Sequence, residues 1–241
     1  MSGSPAKKPK SAEMYPGPGF RIQDLTCRPD PELIEQFRSF ASPDISDLMN
    51  RLYTMSSAIH NLVNDEAICG PACTVKVFPG DNLMVHKALD IAHPGDIIVV
   101  DAGSTTMNGV MGDLVANKAR HRGIQAVVID GLIRDLPGIK EVGLPVYARG
   151  VSPIGPLHRG PGEINYPICC GGIVVNPGDI VIGDINGITV VRSDFAEEIL
   201  NRAFRQRDSL QQYVADVKRG LFSNQWVDDI LHEAGCSFQG K

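Results

Sequence analysis

Asp113 precedes the pair Arg134-Asp135 by twenty intervening residues, in the phrases GVMGDLVANKA and VIDGLIRDLPG. Two carboxylates and a guanidinium are enough to hold a divalent cation beside an anionic oxo-acid. The carboxylates supply hard oxygen ligands, and the planar guanidinium fork grips a substrate carboxylate. That chemistry needs the three side chains in one place, so the elements between them decide whether it is available.

HPGDIIVVDAG, 93–103, is a turn followed by the continuous apolar run of a buried strand. From Gly112, the apolar residues Leu114, Val115 and Ala119 recur at helical spacing until Gly123, and Asp113 falls in the first turn, where the helix dipole favours an anion. IQAVVID, 124–130, is again a strand pattern, and Gly131 is expected to open the loop that carries Arg134 and Asp135. Strand, helix, strand at this spacing makes a βαβ unit with parallel strands. Their carboxyl ends share one sheet edge, where ligands of open α/β sheets gather. The twenty-residue gap is then one helix plus one strand, returning the chain to that edge.

Around this unit, Leu33, Ile34 and Phe37 predict a helix over 31–40, and Ser42 is the expected N-cap of a second helix with Pro43 at its first position. Residues 72–78 alternate as a strand closed by Pro79-Gly80. LPVYARG, GGIVV and a hairpin of DIVIGD with ITVVR, turning at Asn186-Gly187, add further strands. Residues 193–217 and 224–234 read as C-terminal helices. The opening MSGSPAKKPKSAEMYPGPGF offers almost nothing to bury, which predicts a flexible tail over 1–20 followed by a single α/β domain over 21–241.

The balance of 28 acidic against 23 basic side chains leaves a net charge of −5, without the basic footprint of a nucleic-acid binder. No apolar run is long enough to span a membrane and the N-terminus has no apolar secretion core, so no membrane partner and a cytoplasmic location are expected. Cys69 and Cys73 in CGPAC have zinc spacing, but no second Cys/His pair follows, and the six cysteines are expected to be reduced thiols. Adjacent Cys169 and Cys170 should point to opposite faces of an extended segment.

GDLVANKARHRGIQAVVIDGLIRD resembles the signature of the class II pyruvate aldolases typified by 4-hydroxy-4-methyl-2-oxoglutarate/4-carboxy-4-hydroxy-2-oxoadipate aldolase, a superfamily that also contains the regulator of ribonuclease E activity A. The resemblance runs over about residues 40–195, through ISDLMNRL, GPACTVKV, PGDIIVVD and CGGIVVNPGDIVIGDINGITVV. It implies a fold similar to the swivelling phosphohistidine domain, with central β layers flanked by helices, assembled as homotrimers or homohexamers with sites between subunits. It further implies Mg²⁺ or Mn²⁺ as cofactor, bound directly by Asp135 and through a water by Asp113. Gly112, Asp113, Leu114, Val115 and Arg134 would bind the substrate, with Arg134 and Asp113 as catalytic residues. The implied reaction is retro-aldol cleavage of a 4-hydroxy-2-oxo acid to release pyruvate, with oxaloacetate decarboxylation as a side activity. Glu197, Glu198 and Asp208 are candidates for an acidic residue that completes a neighbouring subunit's site.

The main rival is a non-catalytic binding protein resembling the ribonuclease E regulator, against which the presence of Asp135 speaks. A Schiff-base mechanism would require Lys118 or Lys140, both read as surface charges. His86, His93, His121 and His158 are all possible bases and the residues alone do not choose among them. Arg122, Arg149 and Arg159 are candidates for a second substrate carboxylate.

Overall fold

The computed structural model describes residues 13–25 and 27–237, so most of the expected tail lies outside the described residues. The strands are β1 (Phe20–Ile22), β2 (His60–Asn61), β3 (Ile68–Val77), β4 (Ile97–Asp101), β5 (Ala126–Ile133), β6 (Val146–Val151), β7 (Gly162–Ile164), β8 (Ile168–Cys170), β9 (Ile173–Val175), β10 (Ile180–Asp184) and β11 (Gly187–Val191). The helices are α1 (Pro31–Phe37), α2 (Ser42–Leu48), α3 (Leu83–Ile91), α4 (Asp113–His121), α5 (Leu136–Val142), α6 (Ala196–Lys218) and α7 (Gln225–Glu233). The end of the predicted tail is therefore in the sheet, since Phe20 pairs with Gly162.

The chain divides into two compact units, the first ending at Leu200 and the second beginning at Asn201. In the first, a mixed sheet runs in the order β1-β7-β3-β4-β5-β6-β2, with β3, β4, β5 and β6 mutually parallel. Strand β3 serves three neighbours: Ile68–Pro71 pair antiparallel with β10, Ala72–Lys76 pair parallel with β4, and Val75–Val77 pair antiparallel with β7. The second unit carries the rest of α6 and all of α7, where Gln212 and Gln225 donate to Asp216 and Asp229 one turn on, at 3.0 and 3.1 Å. No helix among the described residues is long and apolar enough to cross a membrane.

The alternation along β5 shows how the central strands are buried. Val127 and Ile129 face a core shared with α3, α4 and α5, while Ala126 and Val128 face a second core shared with β8 to β11. A strand covered on both faces needs an unbroken apolar run, which is what the sequence supplies. Helix α4 lies on the first face through Val115, Ala116 and Ala119. Cys169 is exposed and Cys170 buried, the opposite facing expected of an extended pair. Cys69 and Cys73 are buried in β3, and burial pushes both thiols up to about 12.

Three local expectations are corrected. Ser42 is the first residue of α2 rather than its cap; Ala41 holds the cap position and has no side-chain acceptor. Asp184 at the end of β10 does the capping instead, accepting the Ser42 backbone N–H and its hydroxyl, each at 2.8 Å. The same carboxylate accepts the backbone and side-chain N–H of Asn186, at 2.8 and 3.0 Å. The hairpin therefore turns at Ile185-Asn186, with Asp184 paired to Gly187. Finally, β5 runs on to Ile133, so Gly131 lies within the strand, at a register shift between Ile129 and Leu132.

Burial raises the Asp184 carboxyl, but the bonds from Ser42 and Asn186 outweigh it and hold the group below its ordinary value. A depressed carboxyl contributes stability above its unfolded value, about 3.9, and loses that contribution as pH falls through the folded value. Asp184→Ala removes both the cap and the turn lock. We expect it to cost about 1–3 kcal/mol at neutral pH, and to flatten the acid limb of stability, measured by urea melts at pH 7 and pH 3. Identical midpoints at pH 7 would show that Asp184 supports neither element.

Candidate active site

The eleven residues AGSTTMNGVMG, 102–112, join β4 to α4, and their path positions the site. Instead of turning directly into the helix, they run beside the end of β5. Gly109 bridges Leu132 in parallel, the Val110 N–H donates to the Leu132 carbonyl at 2.9 Å, and the Arg134 N–H donates to the Met111 carbonyl at 2.8 Å. A short extra strand is thus laid on the carboxyl edge, and it delivers Gly112 to Arg134.

Contact is close enough that a side chain on either glycine would displace its neighbour. A Cβ at Gly112 would lie 2.5 Å from Asp135 Oδ2 and 3.3 Å from Arg134 Nε, and one at Gly138 would lie 2.8 Å from the Asp113 Cβ. The start of α4 and the start of α5 therefore touch, each presenting one carboxylate. Asp135 adopts φ 55°, left-handed backbone that aspartate tolerates better than most residues, and its Oδ2 sits 3.0 Å from Arg134 Nε. The Asp113 Oδ1 accepts the Leu114 N–H at 2.7 Å, so that amide is already engaged by the protein's own carboxylate. Gly112, Asp113, Leu114, Val115, Arg134 and Asp135 all line one cavity of about 490 Å³.

The rest of the cavity lining comes from the start of α3 and the segment 156–158. The Leu157 N–H donates to the Gly80 carbonyl at 2.8 Å and the Asn82 N–H to the Leu157 carbonyl at 3.0 Å. Asp81 accepts the backbone N–H groups of Leu83, Arg159 and Gly160 at 2.8, 2.6 and 3.1 Å. Asn82 holds the cap position of α3 but its side chain makes no cap bond; its Nδ2 donates to the Val110 carbonyl at 3.0 Å and its Oδ1 lies 2.6 Å from His158 Nδ1. His86, one turn into α3, meets His158 edge to face with ring centres 5.7 Å apart. Burial, with Lys118 and His158 nearby, lowers the His86 imidazole from its ordinary value.

The sequence model described as RraA-like, Aldolase/RraA, matches residues 42–190, more than half of the chain. The chain belongs to the RraA-like family. A protein of Halalkalibacterium halodurans named "Putative 4-hydroxy-4-methyl-2-oxoglutarate aldolase" is 39% identical over 176 residues, covering 73% of this chain and 84% of that one. A relative of the same name from Shewanella oneidensis is 34% identical, covering 67% of this chain and 96% of its own length. Among solved structures, Streptomyces coelicolor RraAS2, described as an unusual member of the RNase ES inhibitor RraA family, superposes with a TM-score of 0.69 at 26% identity, over 81% of this chain and all of that one. RraA-like proteins thus include chains named as aldolases and chains named as inhibitors of RNA processing, and the fold alone does not separate them.

Other candidates in this RraA-like chain lie elsewhere. Arg149 pairs with Asp130 at 2.5 Å on the sheet's other face, where Asp130 also accepts the Ser104 hydroxyl at 2.8 Å and the Gly171 N–H at 2.7 Å. Burial would raise Asp130, yet these bonds hold it below the ordinary carboxylate value. Arg122 pairs with Asp90 at 2.6 Å, and neither it, Arg149 nor Arg159 lines the cavity. Lys118 and His121 line a neighbouring groove on the exposed side of α4. Glu197 and Glu198 border a separate cavity of about 850 Å³ with Arg28 and Gln36, while Asp208 belongs to the second unit. Asn82 and Pro156 were not among the sequence candidates for this cavity. The only sequence signal for Asn82 is its place in the turn phrase PGDN.

Proposed function

We propose that this chain is a divalent-metal-dependent lyase that cleaves 4-hydroxy-2-oxo acids, of the 4-hydroxy-4-methyl-2-oxoglutarate or 4-carboxy-4-hydroxy-2-oxoadipate type, to release pyruvate. The supporting observation is the convergence of Asp113, Arg134 and Asp135 on one cavity across the Gly112 and Gly138 contacts. Among the described residues no group of three or more His, Cys, Asp or Glu side chains is gathered to hold a metal. Two carboxylates suit Mg²⁺ or Mn²⁺, which keep waters and accept substrate oxygens, better than a metal needing a full protein cage. Asp135 would hold the cation directly and Asp113 through a water. When bound, such a cation polarises the 2-oxo group and neutralises developing enolate charge.

The chain's own residues do the rest. Arg134 forms a bidentate pair with the substrate carboxylate and fixes C2 beside the carboxylates. Loss of the C4 hydroxyl proton lets the C3–C4 bond break, its electron pair forming the C2–C3 double bond of the enolate, and protonation at C3 gives pyruvate. Oxaloacetate decarboxylation reaches the same enolate by losing CO₂. A cytoplasmic homotrimer or homohexamer with the phosphohistidine-domain-like arrangement belongs to the same reading.

The test is pyruvate release, coupled to lactate dehydrogenase, across a panel of 4-hydroxy-2-oxo acids. Protein stripped with EDTA should be inactive and should recover with Mg²⁺ or Mn²⁺. No pyruvate from any acid with either metal would sink the lyase reading and favour a binding role like that of the RNase inhibitors.

A further inference from the structure

We propose that His158 is the general base that takes the C4 hydroxyl proton of the substrate, with Asn82 as the residue that fixes its tautomer. This rests on the lyase reading of the same cavity. The Asn82 amide is oriented by its Nδ2 donating to the buried Val110 carbonyl at 3.0 Å. Its Oδ1 must then face His158 Nδ1 at 2.6 Å, and because that oxygen only accepts, Nδ1 carries the proton. Neutral His158 is thereby left with its lone pair on Nε2, the tautomer a proton acceptor needs.

The ring is held as firmly as its tautomer. Its chain neighbours Leu157, Arg159 and Gly160 are all tied by backbone N–H bonds to Gly80 and Asp81, and Leu157 also accepts from Asn82. His158 lines the same cavity as Arg134 and Asp135, and the segment that carries it adjoins the guanidinium, since a Cβ at Gly155 would lie 2.5 Å from Arg134 Nη1. A substrate whose carboxylate lies on Arg134 therefore shares this cavity with the His158 ring. His86 meets only the edge of the His158 ring and has no hydrogen-bond partner among the described residues that fixes its tautomer. The charged and titratable groups that share the cavity with His158 are His86 on α3, Asp113 on α4, and Arg134 with Asp135 after β5, and Asp81 and Arg159 lie beside it in its own turn.

In the step, the O–H bond at C4 breaks and the proton goes to Nε2 as the C4 carbonyl forms and the C3–C4 pair moves into the enolate. The imidazolium then returns its proton to C3 or to water, restoring the neutral ring. Oxaloacetate decarboxylation requires no hydroxyl deprotonation, which separates base catalysis from substrate binding.

The experiment compares wild type, His158→Gln and Asn82→Asp with Mg²⁺ or Mn²⁺ present. His158→Gln should lower kcat for retro-aldol cleavage about 10²-fold or more, while oxaloacetate decarboxylation falls at most a few-fold. Asn82→Asp places a carboxylate on Nδ1–H, favours the imidazolium, and should move the acid limb of the cleavage pH profile up by about one unit. Cleavage retained within five-fold in His158→Gln, parallel loss of both activities, or an unmoved limb in Asn82→Asp would each overturn the assignment. Wild type that releases no pyruvate at all would instead reject the lyase reading itself.

Discussion

Asp135→Asn is expected to lower kcat/KM for metal-dependent pyruvate release by about 10³-fold or more, with a melting temperature within about 2 °C of wild type. The two halves of that result have separate causes. Asparagine keeps the shape and, like aspartate, tolerates the left-handed backbone seen at φ 55°, so the start of α5 is preserved where alanine would strain it. The ion pair lost is a neighbouring Arg134–Asp135 contact whose side chains are 40% and 42% exposed, and exposed pairs contribute about 0–1 kcal/mol. The charge itself is what the proposed cation needs, and losing a direct ligand removes several kcal/mol of stabilisation of the developing negative charge. A 10³-fold loss corresponds to about 4 kcal/mol in the barrier. Calorimetry with Mn²⁺ should show binding lost in step with activity. Near-normal kinetics, or full activity without Mn²⁺ affinity, would remove Asp135 from the metal role.

The sequence was most readable where side chains report burial. Unbroken apolar runs marked β4 and β5, helical spacing marked α4, and together they placed Asp113 and the Arg134-Asp135 pair at the same edge of a parallel sheet. Sharing an edge is weaker than sharing a cavity, however. What closes the remaining gap is the backbone pairing of residues 109–111 with the end of β5, and MNGVMG has no periodicity that would announce it. His158 was legible only as one histidine among several, because its significance depends on Asn82, seventy-six positions earlier in the chain. Asp184 and Ser42, 142 positions apart, illustrate the same limit: a cap borrowed from a distant strand leaves no local signature, and the local rule chose the wrong residue.

The second large effect is expected from a residue with no functional group. Gly112 has φ −131° and ψ −173°, extended backbone open to any residue, so Gly112→Ala carries no conformational penalty. Its new methyl would fall 2.5 Å from Asp135 Oδ2 and 3.3 Å from Arg134 Nε, both at or near the ends of rotatable side chains. Those side chains can swing aside at small cost, so the protein should fold with stability changed by less than about 1 kcal/mol. Catalysis has no such freedom, because the displaced atoms are the ones proposed to hold the cation and the substrate carboxylate. A misplacement of about 1 Å in a catalytic group costs on the order of 10²-fold. We therefore expect Gly112→Ala to lose about 10²-fold in kcat/KM, with weaker Mn²⁺ binding and an unchanged urea midpoint. Gly138→Ala, which presses on Asp113 Cβ at 2.8 Å as well as on its Oδ2 at 2.9 Å, should instead lose stability along with activity, because Cβ cannot rotate away as a carboxylate oxygen can. If Gly112→Ala were as active as wild type, the position of Asp135 Oδ2 beside Gly112 would not be the catalytically relevant one, and the proposed metal site would have to be assembled from other atoms.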